Sequence, residues 1–328
     1  MSASLELRDS AIADRIMIQL PILSLTDEPA ALAQKLGDSF STYGFAMIKD
    51  HGLDPALVRQ GWDKTAEFFA LPTEEKRRYY DSEAGGQRGY TPFGTEIAKD
   101  AKAHDLKEFW HVGREIDPAS PIAHTMPKNV WPERPEHFRE TFEPLFAEFD
   151  RVGNIILSRI AVYLGLDANW FEPAVHEGNS ILRLLHYPPM GVGTGEEGAI
   201  RAGAHEDINL ITLLLGAEEG GLEILAKDGS WIDMRPPEGA LVVNVGDMLQ
   251  RLTNHVLPST THRVRNPAGD RARYSRYSMP FFLHLRSDFP IRTLEGCITA
   301  ERPNRYPDAI LADDYLHERL VEIGLVKA

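Results

Sequence analysis

The chain has 328 residues, room for one large domain or two ordinary ones, with 35 Lys and Arg against 49 Asp and Glu and a formal charge of -14. That balance argues against a nucleic-acid partner, and no apolar run approaches the roughly 20 residues of a bilayer-spanning helix, so no membrane partner is expected either. The one cysteine, Cys297, rules out an internal disulfide, and residues 1–14 carry no secretory pattern, so a cytoplasmic protein is expected.

Along the chain, 20–25 and 45–48 are short extended-looking runs on either side of 30–40, whose apolar residues recur at helical spacing. Asp54 is placed to cap a second helix that reaches Phe69 and stops at Leu71-Pro72. A long amphipathic pattern predicts a third helix over 137–164. From Ile181 the pattern changes to short runs rich in Ile, Leu, Val, Thr, Tyr and Phe. Strands are predicted over 181–187, 204–215, 222–225, 231–234, 240–244, 260–265 and 275–284, with Pro280 marking the last as an edge or bulged strand. A closing helix is predicted over 313–326. Strands at this spacing predict an antiparallel sandwich or double-sheet jelly roll rather than a parallel sheet. No linker divides the chain, so 1–328 reads as a single decorated domain. Its parts are a helix-rich region over 1–165 with two isolated strands, a core over 180–285 and an extension over 286–328.

Gly193-Thr-Gly195-Glu-Glu-Gly198 matches a dinucleotide-binding pattern in letters only, since it follows Pro188-Pro189 and leads toward a strand rather than a helix. The informative triplet is His205-Glu-Asp207, with His262 following 55 residues after Asp207. On a strand, residues i and i+2 share a face, so His205 and Asp207 are able to grip one ion while Glu206 points away, and a distant strand supplies His262. Two imidazoles and a carboxylate on one face of an octahedral Fe(II) leave positions open for O2 and an organic cosubstrate. Among 12 histidines an H-x-D triplet also arises by chance, and His186 and His284 read as satisfied core or rim residues. Arg276-Tyr-Ser278 is a second i, i+2 pair, a guanidinium fork and a hydroxyl that suit one end of a dicarboxylate; Arg271 and Arg273 read as surface charges.

These motifs, in this order, resemble the Fe(II)/2-oxoglutarate-dependent dioxygenases of the isopenicillin N synthase-like branch. The likeness extends over nearly the whole chain. Leu20-Pro-Ile-Leu-Ser-Leu25, Tyr43-Gly-Phe45, His51-Gly52, Phe68-Phe69 through Lys76 and Asp105-Leu-Lys-Glu108 resemble the N-terminal region of that branch. Tyr187-Pro-Pro189, Gly220-Gly-Leu222, Trp231, Asn244-Val-Gly-Asp247, Thr253-Asn254 and Ser259-x-x-His262-Arg-Val264 resemble its core. The resemblance implies a double-stranded β-helix (jelly roll) core with N-terminal helices and a C-terminal helix. It implies Fe(II) on His205, Asp207 and His262, and 2-oxoglutarate with its distal carboxylate on Arg276 and Ser278, assisted by Tyr187. The implied activity is oxidation of a small molecule by O2, with release of succinate and CO2. Asn244 and Asp247 are expected to be turn and support residues.

One departure concerns the metal end of the cosubstrate. Relatives often read Asn-Tyr-Tyr-Pro-Pro where this chain has Leu185-His186-Tyr187-Pro188-Pro189, and Arg183 or His186 is a candidate to compensate for the missing amide. An oxidase of the isopenicillin N synthase type, which uses no 2-oxoglutarate, and a non-catalytic metal-binding jelly roll are the alternatives. In members of the branch, stretches equivalent to 87–93 and 109–111 run over the mouth of the barrel. Arg88, Tyr90, Phe93, Phe109 and Trp110 are therefore candidate contacts for a substrate read as a small, partly apolar acid. The competing reading makes Arg88 a solvated loop charge and the aromatics packing between helices and barrel. The sequence displays neither the substrate's identity nor the oligomeric state.

Overall fold

The computed structural model describes residues 20–81, 86–95, 104–190, 200–216, 220–267 and 269–322. Strand β1 (Ile22–Ser24) leads into helix α1 (Pro29–Tyr43) and strand β2 (Phe45–Lys49). The Glu28 carboxylate accepts from the amides of Ala30 and Ala31 to start α1, and Gly44, at φ 70°, ends it with its amide on the Phe40 carbonyl. A Cβ at Gly44 would lie 2.2 Å from Thr260 Oγ1, so only glycine makes this corner. Asp54 caps α2 (Pro55–Phe69), and Pro72 precedes the short α3 (Thr73–Arg77). Strands β3 (Gly89–Thr91) and β4 (Glu108–Gly113) follow, then α4 (Phe138–Tyr163) and the single turn α5 (Glu172–Val175). Helix α4 buries Phe142, Leu145, Phe149, Val152, Ile156 and Ile160 as one stripe at helical spacing.

The second half is β5 (Ile181–Tyr187), β6 (Ala202–His205), β7 (Ile211–Leu215), β8 (Leu222–Leu225), β9 (Trp231–Asp233) and β10 (Leu241–Val245). After these come α6 (Asp247–Leu252), β11 (His262–Val264), β12 (Arg276–Leu283), a small pair β13 (Pro290–Ile291) and β14 (Ile310–Leu311), and α7 (Ala312–Glu322). The main sheet runs β1-β2-β10-β7-β12-β5-β4-β3 and the minor sheet β6-β11-β8-β9, the expected jelly roll.

Side-chain alternation gives the main sheet two unlike faces. Its outer face carries Trp110, Leu182, Leu184, Leu213, Met279 and Phe281 into a core with α4, which packs on β4, β7 and β12. One buried polar knot interrupts that core: the Glu108 carboxylate accepts from Lys76 Nζ at 2.8 Å and from the Tyr90 hydroxyl, and it bonds His186 Nδ1 at 2.7 Å. The inner face looks toward the minor sheet, and at one end of it Phe45, Met47 and Val242 pack on Leu222, Ile224 and Ile232.

Several expectations need correction. The run 204–215 is two strands, because β6 ends at His205 and the chain bends before β7 begins at Ile211. Pro280 lies in neither an edge strand nor a bulge: β12 is interior, and its pairing with β5 covers Arg276–Ser278 and resumes in the same register at Phe281, so the missing proline N–H falls in the gap of that ladder. The two N-terminal strands are not isolated, since β1 and β2 extend the main sheet, and β3 and β4 have no counterpart among the predicted elements. All six residues of β4 are buried, so it lacks the polar alternation that marks a strand in sequence. The closing helix is described over Ala312–Glu322, and the remainder of 313–326 lies outside the described residues, as does the 193–198 run.

Candidate active site

His205 ends β6 and His262 begins β11, and the two are register partners in the minor sheet, their ring centroids 4.4 Å apart. Asp207 sits in the bend after β6, not on the strand, so its approach to His205 comes from the bend rather than from strand alternation. Glu206 turns outward to accept from the Thr261 hydroxyl at 2.9 Å. Asp207 is held from the opposite sheet: its Oδ2 accepts from Thr212 Oγ1 at 2.5 Å and from Asn244 Nδ2 at 2.7 Å. Thr212 and Asn244 are themselves register partners on the inner faces of β7 and β10. The Asp247 amide donates to the Asp207 carbonyl at 2.7 Å, so Asn244 and Asp247 do act as support. The histidines thus come from one sheet, and the carboxylate is steadied by the other.

One ligand atom from each of His205, Asp207 and His262 lies within 4.8 Å of the others, the one such metal-competent group among the described residues. His205 Nδ1 is 2.7 Å from the Gly203 carbonyl and His262 Nδ1 is 3.1 Å from the Thr260 carbonyl. A carbonyl only accepts, so both Nδ1 atoms carry a proton and both Nε2 atoms are left to face the centre. There they stand 3.8 and 3.9 Å from Asp207 Oδ1, the oxygen that Thr212 and Asn244 leave free. Desolvation, then the neighbouring His262, push His205 down to about 4. Burial alone would raise Asp207, but the two histidines and the bonds from Thr212 and Asn244 hold it below its ordinary value. Neutral imidazoles and an ionised carboxylate are the donor set that a divalent iron requires.

On the inner face of β12, Arg276 pairs with Tyr187 and Ser278 with Leu185. Arg276 is 4% exposed, its Cζ 4.9 Å from the Tyr187 ring centroid, and its Nε and Nη1 have no hydrogen-bond partner among the described residues. It lines a cavity of about 800 Å³ together with Leu214, Leu222, Met234 and Val242. A buried cation with two idle donors fits an absent anion. Leu185, in place of the amide, joins Phe109 and Tyr187 in a small apolar cluster. His186 cannot substitute for that amide, because it is on the outer face, bonded to Glu108 and stacked on Tyr277. Arg183 is on the inner face, its Nε donating to His111 Nε2 at 2.6 Å and its Cζ 4.3 Å from the Phe109 ring centroid and 5.2 Å from that of Phe282.

The five candidate substrate contacts separate. Tyr90 and Trp110 are 1% and 0% exposed in the helix-packed core, so the expectation that they wall the pocket is corrected. Phe93 is an exposed surface ring, whereas Phe109 is on the inner face. Arg88 is no solvated loop charge: it is 2% exposed, and its guanidinium fills the place where a side chain at Gly113 would stand, with a Cβ there only 2.1 Å from Arg88 Cζ. Sequence reasoning missed Thr212, Asn179 and Phe282, and read His284 as a bland rim residue. Continuing the i, i+2 count from Arg276 and Ser278 to Phe282 and His284 would have put both on the inner face.

Residues 178–285 match the 2OG-Fe(II) oxygenase superfamily, and residues 17–134 match the non-haem dioxygenase in morphine synthesis N-terminal family. The 2-oxoglutarate-Fe(II) type oxidoreductase hxnY of Emericella nidulans is 32% identical over 293 residues, covering 87% of this chain and 82% of its own length. Among solved structures, a 2OG-Fe(II) oxygenase family protein of Caulobacter crescentus is 50% identical, with a TM-score of 0.86 over 93% of this chain and 99% of that one. A full-length Neurospora crassa protein, solved in complex with alpha-KG and thymine, is 31% identical, with a TM-score of 0.82 over 94% of this chain and 98% of that one.

Proposed function

Because the chain belongs to the Fe(II)- and 2-oxoglutarate-dependent oxygenases, we propose that His205, Asp207 and His262 hold the iron and that Arg276 and Ser278, beside Tyr187, hold the distal carboxylate of 2-oxoglutarate. The enzyme oxidises a small molecule with O2 while 2-oxoglutarate is converted to succinate and CO2. Iron, when bound, supplies the redox chemistry with O2.

The chain's own residues do the placing. The carbonyls of Gly203 and Thr260 fix the imidazole tautomers, while Thr212 and Asn244 turn one oxygen of Asp207 to the centre. Arg276 and the Ser278 hydroxyl fix one end of the keto acid, and the apolar group Phe109, Leu185 and Tyr187 keeps water from that wall. The observation that carries the reading is the Arg276 guanidinium, buried with idle donors on the main sheet whose Thr212 and Asn244 steady the metal-ligand carboxylate. It favours 2-oxoglutarate over the oxidase alternative, in which this cation would need another anion. The protein works as one decorated domain in the cytoplasm, where the lone buried thiol of Cys297 stays reduced, and its organic substrate is a small, partly apolar acid. Among the described residues no helix is long and apolar enough to cross a membrane. The test is succinate release from 2-oxoglutarate under Fe(II), ascorbate and air across a metabolite panel. Substrate-stimulated release supports the reading, and substrate oxidation without 2-oxoglutarate overturns it.

A further inference from the structure

Resting on the oxygenase reading, we propose that Arg88, with Asn179 beside it, is the anion anchor for the organic substrate and makes the enzyme select small carboxylates over neutral analogues. Arg88 is 2% exposed, and no carboxylate among the described residues forms an ion pair with it; Glu115 acts on it only through space. Its Nη1 donates to the Gln87 carbonyl at 2.8 Å and its Nη2 to Asn179 Oδ1 at 2.9 Å, while its buried Nε has no partner among the described residues. Nε and Nη2 form the side edge of the guanidinium, the edge that takes a carboxylate side-on, and beyond the bond to Asn179 that edge keeps the Nε hydrogen and one further Nη2 hydrogen to donate. A buried cation left without a contacting counter-charge is costly, so an anion brought by a ligand removes a penalty that a neutral ligand leaves in place.

Register locates this cation. Gly113 pairs with Ile181, and Ile181 pairs with Phe282, so the guanidinium that occupies the space over Gly113 lies at the end of the inner face where β12 finishes. His284 follows directly, its amide donating to Ser180 Oγ at 3.2 Å, next to Asn179. Burial pushes His284 down to about 4, and it feels the opposing charges of both Asp207 and Arg88, so it is a neutral imidazole within electrostatic reach of the metal-ligand carboxylate and of the cation. Half-buried Phe282 on the same strand, and Phe109 across β5, supply the apolar surface for the rest of the molecule. One cation and one amide suit a single carboxylate rather than a phosphate dianion.

The experiment uses the Fe(II)-loaded protein saturated with 2-oxoglutarate, so that Arg276 is engaged, held under argon and titrated calorimetrically with benzoate, cyclohexanecarboxylate, hexanoate and the primary amide of each. The expected result is at least one acid binding tenfold or more tighter than its amide, with that preference lost in Arg88→Met. A panel in which no acid binds more tightly than its amide overturns the proposal, and so does a preference that survives Arg88→Met. Should Arg88→Met not fold, the acid-to-amide comparison on the wild type decides alone. In air, wild-type protein that consumes no 2-oxoglutarate sinks the oxygenase reading itself. Protein that consumes it and shows no acid preference sinks the anchor and the acid reading of the substrate, and leaves the oxygenase reading standing.

Discussion

Arg276 and Arg88 are both buried guanidiniums with idle donors on the inner face of one sheet, yet they are mounted differently. Arg276 is part of a regular strand, in register with Tyr187 on β5, its neighbour Ser278 in register with Leu185. Arg88 sits on the connection just before the three-residue β3, and its place is fixed by a missing side chain at Gly113 and by Asn179. The end assigned to the cosubstrate is built into sheet, and the end assigned to the substrate hangs on a connection, where changes of length and residue disturb the barrel least. The histidine and carboxylate group is the centre that both ends must serve.

Removing that shared centre has the largest expected effect and erases the comparison altogether. His205→Ala, Asp207→Ala and His262→Ala are each expected to lose most bound iron and all detectable succinate release; metal analysis that finds iron unchanged in any one removes that residue from the site. Next in size, Arg276→Lys keeps the charge but not the fork. The loss of about 1.5–3 kcal/mol of charge-assisted bonding should raise the 2-oxoglutarate requirement by roughly 10- to 150-fold with iron retained. An unchanged requirement means that the cosubstrate does not use that end.

A third change acts on the centre from behind. Asn244→Ala frees Asp207 Oδ2 from one of its two partners, and iron affinity should fall by about 10-fold, with the 2-oxoglutarate requirement at saturating iron unaltered. If both shift together, Asn244 shapes the whole pocket rather than one ligand. The smallest effect is expected from Gly113→Ala, whose new methyl displaces the Arg88 guanidinium. Overpacking should lower stability by about 1–3 kcal/mol in a denaturant titration. The same variant should lose any preference for acids over amides, and a preference retained beside a full stability loss would detach Arg88 from the substrate.

The part of the site that sequence displays is the part set by local spacing. His205, Asp207 and His262 are legible as ligand types, and Arg276 and Ser278 as an i, i+2 pair, although Asp207 reaches the centre from a bend. What supports them is not legible in the same way: Thr212 meets Asn244 through the register of β7 with β10, which no local pattern encodes. Arg88 is visible as a charge, but its burial depends on Gly113 in a strand whose fully buried pattern hides it. Tyr90 and Trp110 are misplaced by sequence for the same reason. Once β4 is recognised, Phe109 and Trp110 must point to opposite faces, and only one of them is able to line the pocket.

The knot of Glu108, Lys76, Tyr90 and His186 lies behind the pocket and touches none of it, yet it bears on which pairing the chain chooses while folding. Strands β4 and β5 are apolar enough on both faces that hydrophobicity alone ranks neighbouring alignments poorly. A slip of β4 by one residue would swing Glu108 into the barrel, away from Lys76, and a slip of β5 would swing Arg183 into the helix core, each leaving an ionised group buried without its native partners. Burial alone would raise Glu108, but bonds from His186, Lys76 and Tyr90 hold it below its ordinary value, so at neutral pH the misaligned form pays in unpaired charge. The outer face thereby acts as a proofreader for the inner one: the residues that reject the wrong alignment are not the ones that use the right one.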